Sequence, residues 1–383
     1  MLITNLELKN WRNFKQVDIR LGKRCYLIGA NATGKSNLLD VFRFLRDICK
    51  ATGGGLQQAI ASRGGMTKLR CLQARNDSAV RICVHFADSL ENNCPTWEYS
   101  LAFKAHKQHR VLLTEERVTH QGKELFSRPD AEDAEDPLRL TQTLLEQINN
   151  NLEFRSIAEH LQQTIYLHLV PQLLKHADEI SGRLLEDDPF GQGLLQRIAK
   201  TPKKTRDSRI KRIQQVLEKA VPLFQELRFE QDKDTGIFHL EARYKHWRPQ
   251  GAWQREEQLS DGTLRLIGLM WALQEGEGLL LLEEPELSLN DAVVDQIPLM
   301  IDRILSKRKL PHRQVLISTH SETLLSQIAD PNAIVLLEHG PDGTIVRPAN
   351  AEERQLINEG LNPAEVLLPK THVPMVTQLS LFP

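Results

Sequence analysis

Four short segments in a fixed order constrain this chain more than anything else in its sequence. They are Gly-Ala-Asn-Ala-Thr-Gly-Lys-Ser at 29–36, Leu-Ser-Asp-Gly-Thr at 259–263, Leu-Leu-Leu-Leu-Glu-Glu-Pro-Glu at 279–286 and Ser-Thr-His at 318–320. The first follows a short apolar run at 24–28 and precedes Leu38, Leu39, Phe42 and Leu45 at helical spacing, so it reads as strand, glycine loop, helix. That context turns a common pattern into a phosphate loop. A nucleoside triphosphate carries dense negative charge, and Gly29, Ala30 and Gly34 let backbone N–H groups approach it at the positive end of the following helix. Lys35 is placed for the β and γ phosphates and Ser36 for a magnesium ion, with Asn31, Thr33 and Asn37 as further nucleotide contacts.

The leucine run at 279–282 reads as a buried parallel strand, and catalytic groups of open α/β sheets sit at such strands' C-terminal ends. Glu283 is therefore expected to hold the magnesium shell and Glu284 to polarise the attacking water. A second buried strand at 315–317 ends at Ser318, Thr319 and His320, which places His320 to contact the γ phosphate. The segment at 259–263 opens a helix: Ser260 is a good N-cap, Gly262 keeps the turn open, and Leu266, Leu269, Met270 and Leu273 form an apolar face.

The four motifs together resemble an ABC-type ATPase head, in particular the RecF, SMC and OLD-type group and its compact bacterial ATPases without a Toprim domain. The resemblance covers about residues 1–347, and Asn10-Trp11-Arg12-Asn13-Phe14 looks like the sequence between that group's first two strands. It implies an α/β fold, with a mixed central sheet carrying the phosphate loop, an antiparallel β subdomain and an inserted helical lobe. It implies ATP and Mg2+ as cofactors, hydrolysis of ATP, and Arg12 near the phosphates. It also implies that Ser260 and Gly262 cap the γ phosphate held by a second subunit, hence an ATP-dependent homodimer. Three departures stand out: Asp261 and Thr263 in the signature, Glu283 where aspartate is commoner, and no secure Q-loop glutamine, with Gln57, Gln58 and Gln73 as candidates. Transporter subunits use the same motifs at closer spacing, and no Asp-x-Asp pair follows His320 to suggest a nuclease.

Patterning divides the 383 residues into 1–136 and 231–350 as two parts of the head, a lobe at 137–230 read as mostly helical, and an extended tail at 351–383. The lobe's helical stripe is Ile210, Ile213, Leu217 and Ala220, and the acids of 130–136 read as a solvated loop. Lys and Arg number 49 against 50 Asp and Glu, so DNA contact has to come from a local patch. The candidate is 200–212, with Lys203, Lys204, Arg206 and Arg209 as phosphate contacts. Five scattered cysteines, the absence of a signal-like N-terminus and the absence of a long apolar run point to a cytoplasmic protein without a membrane partner, which the expected DNA association would make nucleoid-associated.

The last six residues resemble the peptide by which bacterial repair and replication proteins dock on the DNA sliding clamp. Leu381 and Phe382 would fill an apolar pocket, with Leu379 beside them and Gln378 at its edge. The expected function is an ATPase that dimerises on ATP, associates with DNA and is recruited to the clamp in genome maintenance. The alternative is a sensor subunit of a defence or toxin system that gates a partner effector.

Overall fold

The computed structural model describes residues 1–74, 77–90, 94–106, 110–177, 188–246, 252–306 and 313–371. The chain divides into two compact units, one built from Met1–Thr164, Glu277–Leu281 and the C-terminal part from Leu310, the other from Ile165–Gly276 and Leu282–Lys309.

In the first unit, alternation of apolar and polar residues produces an antiparallel sheet. Its strands lie in the spatial order Phe14–Arg20, Leu2–Trp11, Val80–Ala87, Trp97–Ala105, Val111–His120, Lys123–Arg128. One face buries Leu6, Leu8, Ile82, Val84, Phe86, Leu101 and Phe103. A second sheet places Gly343–Pro348, Ile334–Gly340, Arg24–Gly29, Gln314–Thr319 and the start of Leu279–Glu283 side by side. Arg24–Gly29 is parallel to both of its neighbours, with Thr319 opposite Ile28 and Leu337 opposite Gly29. Such a strand is covered on both faces and therefore reads as a continuous apolar run. The helix Lys35–Cys49 buries Leu38, Leu39, Val41, Phe42, Phe44, Leu45 and Ile48, and packs on Arg24–Gly29, Gln314–Thr319 and Arg155–Gln162.

In the second unit, Ala252–Arg255, Phe238–Tyr244 and Phe224–Gln231 form an antiparallel sheet. The helix Lys203–Ala220 packs on Phe224–Gln231 and on the helix Asp261–Gln274, burying Ile210, Ile213 and Leu217 of its apolar stripe and leaving Ala220 half-buried.

Three expectations need correction. The acids of 130–136 are exposed as expected except Asp133, but they lie on and beside a short helix and not in a loop. Asp130 and Asp133 make a reciprocal capping box on the short helix Ala131–Glu135, and Asp133 is buried against Arg128, Nη2 to Oδ1 2.6 Å. Arg128 also reaches the fully buried Glu116, whose carboxyl burial pushes above its usual value despite hydrogen bonds from Leu144 and Leu145 N–H. The stretch 137–230 is also less purely helical than its stripe suggests, because it contains the strands Ile165–Leu167 and Phe224–Gln231. Finally, the chain after 351 is not extended over its described part, which holds the helices Ala351–Asn358 and Pro363–Thr371. They are fixed by Glu353, a buried carboxylate paired with Arg347 at 2.8 Å and Lys370 at 2.7 Å.

Candidate nucleotide site

The phosphate loop is held from outside its own sequence. Gly34, at φ 96°, is the N-cap of Lys35–Cys49 and contributes no side chain to cap the helix, and the first turn contains no acid. A Cβ on Gly34 would lie 2.2 Å from Asn13 Nδ2, so only glycine fits beneath that amide. Asn13 Nδ2 donates to Thr33 O at 2.9 Å and Thr344 Oγ1 at 2.7 Å, while its Oδ1 accepts from Asn37 Nδ2 at 2.7 Å. Thr344 Oγ1 in turn donates to Thr33 O at 2.8 Å. A loop pinned this way keeps its N–H groups aimed without relying on a bound ligand for order. Lys35 is buried, with Nζ 2.7 Å from Gly29 O and 3.2 Å from Ala30 O, so the ammonium already lies across the mouth of the loop. Ala32, at φ 66°, completes the tight curve.

Arg12 is not directed at the loop's own backbone. Its Nη2 lies 2.5 Å from Asp40 Oδ2, on the helix that follows the loop, and its N–H donates to Leu69 O at 2.7 Å. Arg63 Nη2 bridges Asp40 at 3.0 Å and Asp47 at 2.9 Å. Burial alone would raise Asp40's pKa, but Arg63, Arg12 and Arg43 hold it below the usual carboxylate range. Trp11 Nε1 donates to Asn37 O at 2.9 Å, so the segment before Asn13 also clasps this helix. His320 is exposed and directly follows Thr319, whose strand partner Ile28 precedes Gly29. The register therefore puts His320 at the loop's edge of the sheet. Of the Q-loop candidates, Gln57 is committed to Val111 O and Thr141 O at 2.9 and 2.8 Å, whereas Gln73 lies beside Gly343, against Asn13.

The second unit carries the signature segment and the acidic end of the leucine strand. Leu279–Glu283 ends in Glu283, whose Oε2 accepts from the Tyr166 hydroxyl. His168 Nδ1 lies 3.2 Å from Glu283 O, a carbonyl that can only accept, so the ring proton belongs on Nδ1. Glu284 follows at φ 44°, a left-handed conformation uncommon for a residue with a side chain and frequent at functional turns. Ser260 caps Asp261–Gln274, its Oγ accepting from Thr263 N at 3.2 Å. A Cβ on Gly262 would lie 2.7 Å from Ser288 O, so the signature turn and the turn after Glu286 pack with no room for a side chain. Asp261 accepts from Lys175 Nζ at 2.7 Å and Gln172 Nε2 at 2.6 Å. Hydrogen bonding to Lys175 holds its pKa below the usual carboxylate range. Arg265, one turn on, interacts with Asp261, Glu284 and Glu286, while burial pulls its guanidinium below its usual value.

The basic segment is only partly available to a ligand. Lys203 and Lys204 are exposed. Arg206 lies over the Phe229 and Phe238 rings at 5.3 and 5.8 Å, and Arg209 over Trp271 at 5.1 Å. The clamp-peptide residues Gln378, Leu379, Leu381 and Phe382 lie outside the described residues. Sequence reasoning did not single out Asn13, Thr344, Arg63, Tyr166, His168, Lys175 or Arg265. Only Asn13 and Arg265 lie within or beside quoted motifs.

A glycine-capped phosphate loop on a parallel strand, a carboxylate pair closing a buried strand and a serine-capped signature helix define an ABC-type, SMC-like P-loop ATPase. The family profile described as "AAA domain, putative AbiEii toxin, Type IV TA system" matches residues 26–326, and the chain belongs to this family. Solved structures share the fold at low identity. An SmcHead bound to the C-winged helix domain of ScpA matches with a TM-score of 0.56 at 16% identity, covering 93% of this chain and 99% of that one. The Smc head domain with an extended coiled coil bound to the C-terminal domain of ScpA, from Pyrococcus furiosus, gives 0.52 at 15%, covering 94% and 98%. The Smc head domain with a coiled coil and joint from Pyrococcus yayanosii gives 0.51 at 12%, covering 94% and 99%. No curated protein matches the chain. The protein is an ATPase, and among the described residues no helix is long and apolar enough to cross a membrane.

Proposed function

We propose that this ATPase works as an ATP-timed dimer associated with DNA. The observation that carries the reading is the signature helix. Ser260 is fixed at its N-terminus, and Gly262 is pressed against Ser288 O, an arrangement suited to presenting a hydroxyl and helix amides to a phosphate. In this reading the N–H groups of 29–36 and Lys35 bind the β and γ phosphates of ATP, with Asn31, Thr33 and Asn37 shaping the loop. Ser36 and Glu283 would hold Mg2+, which would supply charge neutralisation to the phosphates. Tyr166 orients Glu283 through its hydroxyl. Glu284 accepts a proton from the attacking water, and His320 contacts the γ phosphate. Ser260 and Gly262 cap the γ phosphate of a second copy, so ATP joins two heads and hydrolysis releases them.

DNA contact is assigned to Lys203 and Lys204, with Arg206 and Arg209 in a supporting role set by their ring contacts. The terminal peptide at 378–383 would carry the dimer to the sliding clamp, where two tails on one ring gain avidity. The test is Glu284→Gln. With ATP this variant is expected to bind nucleotide normally, run as a dimer on sizing columns and lose at least about 100-fold in turnover. Normal turnover would show that another residue positions the water.

A second reading, a sensor subunit of a defence or toxin system that gates a partner effector, is favoured by the matched family's description as a putative toxin of a Type IV TA system. Growth arrest on expression that requires Lys35 and persists in a chain ending at Thr377 would favour it. Capture of the sliding clamp by the full chain, lost on the same truncation, would favour the DNA-maintenance reading.

A further inference from the structure

The antiparallel sheet of the first unit has a buried face and a polar one, and the polar face carries an unusual group. Alternation along Val80–Ala87 puts Ile82, Val84 and Phe86 into the core and Arg81, Cys83 and His85 on the opposite face. Register then sets Glu7 opposite Cys83, and Glu98 opposite His85. Three potential metal ligands from two adjacent strands meet there, and Glu98 of the third strand lies beside His85. The His85 Nε2 lies 3.6 Å from Glu7 Oε1 and 3.9 Å from Glu98 Oε2. One ligand atom each from Glu7, Cys83 and His85 falls within 4.8 Å of the others.

We propose that Glu7, Cys83, His85 and Glu98 form a binding site for a divalent transition-metal ion of the zinc class, which clips the strands Leu2–Trp11, Val80–Ala87 and Trp97–Ala105 together. Tetrahedral zinc holds N, O and S ligands at about 2.0–2.3 Å, which puts neighbouring ligand atoms about 3.3–3.8 Å apart. The His85–Glu7 distance already lies within that edge length, and Cys83 Sγ and the Glu98 carboxylate would close in on the ion. One thiolate, one imidazole and two carboxylates suit zinc or cobalt better than magnesium or calcium, which take oxygen ligands. The Glu7 and Glu98 carboxylates, both beside His85, are the anionic groups that would face the ion. Ser100 Oγ, 3.2 Å from Cys83 Sγ, and Arg117, 3.0 Å from Glu98 Oε1, are the polar groups that orient the ligands from behind. The site lies on a different face from the core beneath the phosphate loop, and it is independent of the nucleotide reading.

The test uses the full chain, stripped with chelator and free of nucleotide and magnesium. Titration with Zn2+ is expected to saturate at one ion per chain with micromolar or tighter affinity and to raise the melting temperature. Titration with Co2+ is expected to give a thiolate-to-metal charge-transfer band, which no oxygen-only site at the phosphate loop can produce. Cys83→Ser should abolish that band, and His85→Ala and Glu7→Gln should each weaken Zn2+ binding at least tenfold, whereas Cys94→Ser should change nothing. Glu7 is half exposed, so its variant remains informative if a more buried substitution fails to fold. Absence of saturable Zn2+ binding, or binding unchanged in Glu7→Gln and His85→Ala, would overturn the proposal.

Discussion

Two helices begin at motifs expected to meet phosphate, and they begin differently. Lys35–Cys49 starts from a left-handed glycine, has no side-chain cap and no acid in its first turn, and carries Lys35 as its first residue. Asp261–Gln274 starts from a serine cap and places Asp261 in the first turn, an acid where the commonest signature has glycine. The macrodipole favours an anion at each N-terminus, but at the second the protein has supplied that anion itself. Lys175 and Gln172 bind it from the side. In the proposed function the first terminus is the one that holds the nucleotide phosphates. The second is built for a weaker engagement whose strength depends on how completely Lys175 neutralises Asp261. The contrast suits an ATPase in which nucleotide is held on one helix and sensed by the other.

The strongest way to break this comparison is Lys35→Ala. If the first helix does the holding, nucleotide affinity should fall at least about 100-fold, as measured by titration with a fluorescent ATP analogue. Lys175→Ala comes next. It leaves Asp261 with only Gln172 and Arg265 to balance its charge at the signature, and should lower turnover about tenfold while ATP affinity stays within about twofold. Equal loss of affinity and turnover would show that Lys175 supports the whole fold instead. The smallest effect concerns acid. Because the Asp261 pKa is depressed in the folded chain, its pairing contributes stability above the unfolded carboxyl value of about 4, and that contribution is lost as pH falls through the lower folded value. Asp261→Asn should therefore flatten the acid limb of the stability profile measured by denaturant titration, and an unchanged limb would place the pair's contribution elsewhere.

Much of the site was legible because its chemistry is local in sequence. A strand, a loop and a helix run consecutively from Arg24 to Cys49, and glycines at fixed offsets announce where the backbone must approach a ligand. The carboxylate pair was equally clear, as it closes a four-leucine strand. What was not legible comes from far along the chain. Asn13 and Thr344 brace the phosphate loop although 331 positions separate them, and Tyr166 reaches Glu283 across 117. No periodicity signals such partners, since Asn13 sits in the turn between two strands and Thr344 and Tyr166 are single residues inside otherwise ordinary strands. The acids of 130–136 misled for a related reason. Charge density suggested solvent, but Arg128 on the preceding strand lies within the fold and draws Asp133 in after it. Likewise, the cations of 203–209 looked equivalent in sequence, and packing separated two exposed lysines from two arginines laid over aromatic rings.

The central claim is that phosphate loop and signature from different copies complete one another. It is tested most directly by mixing two inactive chains, Lys35→Ala and Ser260→Arg, and measuring ATP hydrolysis. With random pairing half the dimers are mixed, and each has one of its two composite sites intact, so about a quarter of the wild-type rate should return. A mixture as inactive as its parts would contradict the account and place the signature's action within a single chain.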